Sequence, residues 1–170
     1  MQKTTKRLSD EHKNILKLIE ILDKECNELE SGKKINESFL REIIFFIKNY
    51  ADKFHHAKEE DILFKELCKP ETKMHCNPVE QMLHEHKQGR SFVKGVEDGL
   101  EEDNKNKIIE NARGYVNLLR EHIYKEDNIL YPMADEALNK KTQESISEKF
   151  KEIDKIKKEI KQKCLLIIKK

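Results

Sequence analysis

Residues that break helices are scarce here: five glycines and three prolines in 170 residues. There is no strand signal and no glycine-rich phosphate loop. No apolar run is long enough to span a bilayer. The opening segment, MQKTTKRLSDEHK, lacks the apolar centre of a signal peptide, so the cytoplasm is the expected compartment. Neither sign of charge dominates. Lys and Arg number 34 against 33 Asp and Glu, a formal net charge of +1, which argues against nucleic acid or an anionic membrane as partner. The four cysteines (Cys26, Cys68, Cys76, Cys164) form no C-x-x-C pair and read as free thiols.

What remains is a charged, aliphatic chain long enough for one core, or for one domain plus a helical extension. Periodicity and punctuation predict five helices. The first starts after Ser9 as N-cap and ends at Gly32. The second runs from near Asn36 to Cys68, before Pro70. The third opens on Asn77, Pro78 and Glu80 and fades after residue 100. The fourth runs from about Lys105 to Tyr131, where Pro132 interrupts it. The fifth covers roughly Gln143 to Ile168, with apolar residues at Ile146, Phe150, Ile153, Ile160, Cys164 and Ile167 and a break at Lys157. These elements predict an all-α fold: an antiparallel up-down four-helix bundle over residues 1–138. An amphipathic C-terminal helix over 139–170 would pack on the bundle or form a homodimer seam.

The informative segment is FHHAKEEDILF, residues 54–64, because EHIYKEDNILY, residues 121–131, nearly repeats it. Both contain H-x-x-K-E-x-x-I-L. The tripeptide EHK likewise occurs in the first helix (residues 11–13) and the third (85–87). The chain reads as two copies of one helical hairpin. On the apolar stripes, at three- and four-residue spacing, lie His12, His55, Glu59, His86, His122 and Glu126. His56 and Glu60 fall toward the side, so metal retention is expected to depend on His55 and not on His56. At about 1.5 Å per residue, His12 and His55 both sit roughly 27 Å from their connecting loop, and His86 and His122 match in the same way.

Buried carboxylates without partners cost several kcal/mol, so six such groups at one level call for metal. Imidazole with carboxylate suits iron, zinc or manganese. Two glutamates bridging two ions, with two imidazoles per ion, would leave about two octahedral positions open on each for small ligands. Asp127 competes with Glu126 as a ligand, or supports one. Tyr115, Tyr124 and Arg90 are candidates to orient a bound oxygen species. The spacing Cys68, His75, Cys76 supplies only three possible donors, and ordinary thiols fit it better.

The segments DEHKNILKLIEIL, FHHAKEEDILF, EHKQGRSFV and EHIYKEDNILYPMA resemble the hemerythrin-like (HHE cation-binding) family over about residues 8–138. The resemblance implies a four-helix bundle with two non-haem iron ions (Fe2+/Fe3+), oxo- or hydroxo-bridged. It places the ligands at His12, His55, Glu59, His86, His122 and Glu126. It further implies binding of dioxygen, or reaction with peroxide or nitric oxide. The chain departs from oxygen-carrying hemerythrins at Arg90, where a His-x-x-x-His pair would put a second histidine on the third helix. It is closer to the subgroup resembling di-iron proteins for repair of iron centres. The alternative is a metal- or oxygen-responsive sensor that signals through the C-terminal helix.

Overall fold

The computed structural model describes residues 3–72, 74 and 78–169. It is helical throughout, with no strand among the described residues. Six helices follow in order: α1 (Lys3–Glu30), α2 (residues 37–67), α3 (Val79–Glu101), α4 (residues 105–137), α5 (Lys140–Ile156) and α6 (Lys158–Ile167). α1 pairs with α2 and α3 with α4, and α1 packs against α4 to close the four-helix bundle. α5 packs on α1 and α2, and α6 packs on α2.

Side chains that satisfy orphaned backbone groups set most helix ends. Asn36, Asn104 and Asn139 each accept a hydrogen bond from the backbone N–H three residues on, at Phe39, Lys107 and Thr142. α1 ends in a left-handed cap at Gly32 (φ +99°). There Lys33 N–H donates to Glu28 O and Gly32 N–H to Leu29 O. The expected cap Asn77, with His75 and Cys76, lies outside the described residues.

The structure corrects three boundaries. α1 begins at Lys3, not after Ser9, because the apolar stripe continues through the buried Leu8 to the buried Thr4 and Thr5. α4 runs through Pro132 to Ala137. The preceding residues, Glu126–Leu130, form a π-helical turn with i→i+5 hydrogen bonds, and the widened turn accommodates a ring that an α-helical interior would reject. The C-terminal helix starts at the Asn139 cap and breaks at Lys157 (φ −96°, ψ 12°) into α5 and α6.

The core has two apolar lobes. One, near the hairpin turns, includes Leu22, Phe46, Tyr50, Val93, Ala112 and Val116. The other, toward the opposite end, includes Leu8, Leu63, Phe64, Met82, Leu130, Tyr131 and Phe150. α5 contributes Ile146 and Phe150 to the second lobe, and α6 contributes Cys164 and Ile167 to the first. Between the lobes lies a buried polar layer.

The α3–α4 contact near its turn is tight. A Cβ on Gly99 would stand 2.8 Å from Ile108 Cγ1 and 3.0 Å from its backbone nitrogen. Overpacking of this kind costs about 1–3 kcal/mol, against a helix-propensity gain of ~1 kcal/mol for alanine. Gly99→Ala is therefore expected to be net destabilising, seen as a lower urea midpoint with an unchanged m-value.

Candidate metal centre

Each bundle helix sends polar side chains into the layer: His12 from α1, His55 and Glu59 from α2, His86 from α3, His122 and Glu126 from α4. All six are buried. His12 Nε2 lies 2.9 Å from His55 Nε2, and His86 Nε2 lies 3.0 Å from His122 Nε2. Glu126 stands between the pairs, 3.2 Å from His12 Nε2 and 3.3 Å from His122 Nε2. Glu59 Oε2 does the same at 3.7 Å from His55 Nε2 and 3.5 Å from His86 Nε2. Each carboxylate thus touches one imidazole from each hairpin.

The other face of every ring is held by a carboxylate. Nδ1–H of His12 donates to Asp127 (3.0 Å), His55 to Glu11 (3.0 Å), His86 to Glu60 (2.7 Å) and His122 to Glu85 (2.8 Å). A proton fixed on Nδ1 directs Nε2 to the centre as the donor atom, and a carboxylate partner raises its basicity. Lys58 and Lys125 in turn donate to Glu11 and Glu85. This accounts for both repeated motifs. The Glu of each EHK holds the histidine of the neighbouring helix, and the Lys of each H-x-x-K-E holds that Glu.

The centre has the chemistry of a cation site. Among the described residues, Glu59 Oε2 and both carboxylate oxygens of Glu126 are buried without a hydrogen-bond donor. A buried, unpaired carboxylate is costly, and the converging Nε2 atoms and free oxygens match what first-row divalent ions take. Protons moderate the buried negative charge. Burial pushes the His122 imidazole down, but the Glu126 and Glu85 carboxylates outweigh it and hold its pKa up at about 9. Burial likewise opposes charge on His12, yet Asp127 and Glu126 raise its pKa. Glu126 stays ionised because the two imidazoles override its burial. Burial and the neighbouring Glu126 charge drive Glu59 well above the carboxylate range.

The structure moves two residues from their expected places. His56, expected to lie toward the side, is only 6% exposed and stacks on His86 with ring centroids 3.7 Å apart. Residues 47–56 are π-helical, so His56 falls in line with the buried Ala51 five residues back and enters the core beside His55. Tyr124 is 65% exposed and points away from the centre. Tyr131 reaches it instead: its hydroxyl donates to Glu59 Oε1 at 2.6 Å, and its ring stacks on His12. Phe64, the matching position of the first repeat, stacks on His86. Asp127 takes the supporting one of its two expected roles, accepting from His12 Nδ1.

A cavity of about 360 Å³ leads from the surface between α2, α3 and α4 to His56, His86 and His122. Its walls include Ile47, Ala51, Gly89, Val93, Tyr115 and Leu119. Arg90 lies on its lining, bonded to Asp52 (2.8 Å) and Glu60 (2.6 Å). On the far side, Lys58 is fully buried. It reaches Asp154 of α5 at 2.7 Å and lies 3.7 Å from the Phe54 ring centroid. Removing one partner of such a pair costs about 3–5 kcal/mol.

A four-helix bundle closed around a buried layer of imidazoles and carboxylates defines a class of cation-binding domain. The family model of the Hemerythrin HHE cation binding domain matches residues 3–134, and the chain belongs to that family. No curated protein and no solved structure matches it significantly. No helix among the described residues is long and apolar enough to cross a membrane.

The raised pKa values set a pH window. A base or acid whose folded pKa lies above its unfolded value stabilises the fold below the unfolded value and loses that contribution as pH rises through the folded one. For His122 the window runs from 6.5 to about 9, and the His12 and Glu59 shifts have the same sign. The melting temperature of metal-free protein is expected to fall between pH 6.5 and 9. Metal affinity should rise over the same interval, because uptake expels these protons. Calorimetry in buffers of different ionisation enthalpy checks both.

Proposed function

We propose that the chain is a non-haem di-iron protein that binds dioxygen, or reacts with peroxide or nitric oxide, at a binuclear His/Glu centre. One observation carries this reading. Four Nε2 atoms converge on two buried glutamates whose inward oxygens lack donors. In this reading His12, His55, His86 and His122 hold the ions and Glu59 and Glu126 bridge them. Bound iron would supply reversible electron transfer to a small oxygen- or nitrogen-containing ligand. The chain's own residues do the rest. Glu11, Glu60, Glu85 and Asp127 keep each Nδ1 protonated and each Nε2 aimed inward. Tyr131 holds a proton on Glu59 Oε1. The apolar cavity admits a small molecule along a path that Arg90, fixed by Asp52 and Glu60, helps to line.

Loading with ferrous iron under anaerobic conditions is expected to give about two irons per chain by elemental analysis, and near-ultraviolet and visible absorption should appear on admitting air. His55→Ala is expected to lose at least tenfold in affinity, since removing even a hydrogen-bond partner of a ligand costs about 10–100-fold. A wild-type chain that takes up no iron rules the reading out.

A second reading, a sensor acting through the C-terminal helices, is favoured by one chain of contacts. His55 Nδ1 bonds Glu11, Glu11 bonds Lys58, and Lys58 bonds Asp154 on α5. A change at the His55-side ion would alter the charge balance at Glu11 and so the hold of Lys58 on α5. Ile156 and Leu166 are exposed on α5–α6 and offer an apolar surface for a partner or a second copy. Hydrogen exchange over residues 140–167 is expected to differ between metal-loaded and metal-free protein, and Asp154→Asn should shrink the difference. Identical exchange in both states argues against sensing.

A further inference from the structure

The cavity beside His56, His86 and His122 is far larger than a diatomic molecule needs. At about 360 Å³ it falls within the roughly 300–1,000 Å³ of pockets that hold organic ligands, whereas a water molecule's share of the liquid is only about 30 Å³. It is also long. Its lining runs over residues 85–97 of α3, 47–56 of α2 and 115–122 of α4. The α3 stretch alone covers roughly 18 Å at ~1.5 Å per residue. One end lies against the imidazoles, and the body follows the bundle axis toward the hairpin turns.

Three features of the lining point to an occupant. The first is Gly89. A Cβ on the other helix glycines, Gly95, Gly99 and Gly114, would collide with the side chains of Asn111, Ile108 and Phe92 in turn. At Gly89 it would meet nothing closer than Tyr115 Cε2 at 3.5 Å, an ordinary contact. Packing does not require this glycine, although glycine inside a helix is destabilising relative to alanine. Its missing side chain leaves room in the cavity it lines. The second is Tyr115, only 3% exposed. Its hydroxyl has no hydrogen-bond partner among the described residues, although a buried tyrosine hydroxyl usually finds one. The third is charge. The exposed residues of the lining are Lys53, Arg90 and Lys94, all cations. Arg90 and Lys94 have carboxylate partners, and Lys53 has none among the described residues. With the half-buried Lys48, Asp52 and Glu97, the rim carries four cations and two carboxylates.

We infer that this cavity binds an elongated organic anion of the medium-chain carboxylate type. Its apolar chain lies along Ile47, Ala51, Val93 and Leu119. Its carboxylate stays with the rim cations and accepts from the Tyr115 hydroxyl. The inference deepens the reading above, on which it rests for the metal centre next to the site; binding of the anion itself needs no ion. It places an organic molecule beside His86 and His122, in addition to any small ligand of the centre.

The probe is decanoate, below its micelle-forming concentration, with decanol as the neutral control. Each is titrated into the full chain, iron-loaded and metal-free, and followed by calorimetry and methyl NMR. Decanoate is expected to saturate about one site per chain and to shift the methyl signals of Ile47, Val93 and Leu119. Decanol is expected to bind about tenfold more weakly or worse, as the loss of a charged hydrogen-bond partner implies. Gly89→Leu fills the cavity and should abolish saturable binding. Tyr115→Phe is the second variant should that one fail to fold. It removes a hydroxyl that serves nothing in the free protein, so it should keep the wild-type melting temperature and weaken decanoate about tenfold. Wild type without saturable binding overturns the inference. So does binding that survives Gly89→Leu, or shifts confined to the surface groove of Phe45, Leu166 and Ile167 between α2 and α6. Decanol binding as tightly as decanoate overturns the anionic assignment. A chain that takes up iron but no decanoate overturns this inference alone; one that binds decanoate but no iron supports it and overturns the di-iron reading.

Discussion

The structure depends on the hydrogen bonds between imidazole Nδ1 atoms and carboxylates. Four rings are buried at one level between two apolar lobes, each oriented by Asp127, Glu11, Glu60 or Glu85. Without those partners the rings would be free to turn, and the inward lone pairs would lose their common focus. The carboxylates themselves need support in a place where charge is expensive. Lys58 and Lys125 supply it to Glu11 and Glu85 from the helices that carry the histidines, and Arg90 supplies it to Glu60. The order of influence runs from the rim inward: ion pairs fix carboxylates, carboxylates fix rings, and rings present nitrogens to Glu59 and Glu126.

The two hairpins repeat this scheme and then depart from it at three places, each with a consequence. Tyr131 replaces Phe64, which adds a hydroxyl on Glu59 beside the His12–His55 pair. His56 replaces Ile123, which adds an imidazole beside the His86–His122 pair. Asp154 joins Lys58, whereas Lys125 has no such contact among the described residues and is partly exposed. One half of the centre therefore faces a cavity and carries an extra imidazole. The other half faces a phenol and connects to α5. A duplicated frame has become two chemically distinct halves without moving the shared glutamates.

How much of this was legible in the sequence follows from what helical periodicity can and cannot encode. The all-α architecture, the Gly32 cap and the convergence of six polar residues could be read from the sequence, because an α-helix maps sequence position onto a face directly. His56 could not. It sits at the end of a π-helical run, residues 47–56, where that mapping fails. Helical pattern likewise predicts a stop at Pro132, and the π turn at Glu126–Leu130 makes room for it instead. The supporting residues were half visible. Glu11 and Glu85 lay inside the repeated EHK, and Lys58 and Lys125 inside the other repeat, but their partners are on other helices and no single-helix pattern names them. Tyr131 carried a weaker signal: it ends the repeated segment at the position of Phe64, and only the fold shows that the added hydroxyl lands on Glu59.

The division of the core into two lobes sets the polar layer apart from the packing of the large apolar side chains. In small metal domains the ion supplies the folding energy, and removing it unfolds the chain. Here the lobes on either side bury the large side chains, among them Phe46, Tyr50 and Phe54 above and Leu63, Phe64 and Phe150 below. Buried charge is costly in the layer, and protons on His12, His122 and Glu59 moderate that cost. The apolar packing that fixes the frame thus lies outside the polar layer. That frees the centre to change charge or ligand while the surrounding bundle holds its shape. The strain of such a change falls on the contacts that join the layer to its neighbours, Glu11 with Lys58 on one side and Asp52 with Arg90 on the other.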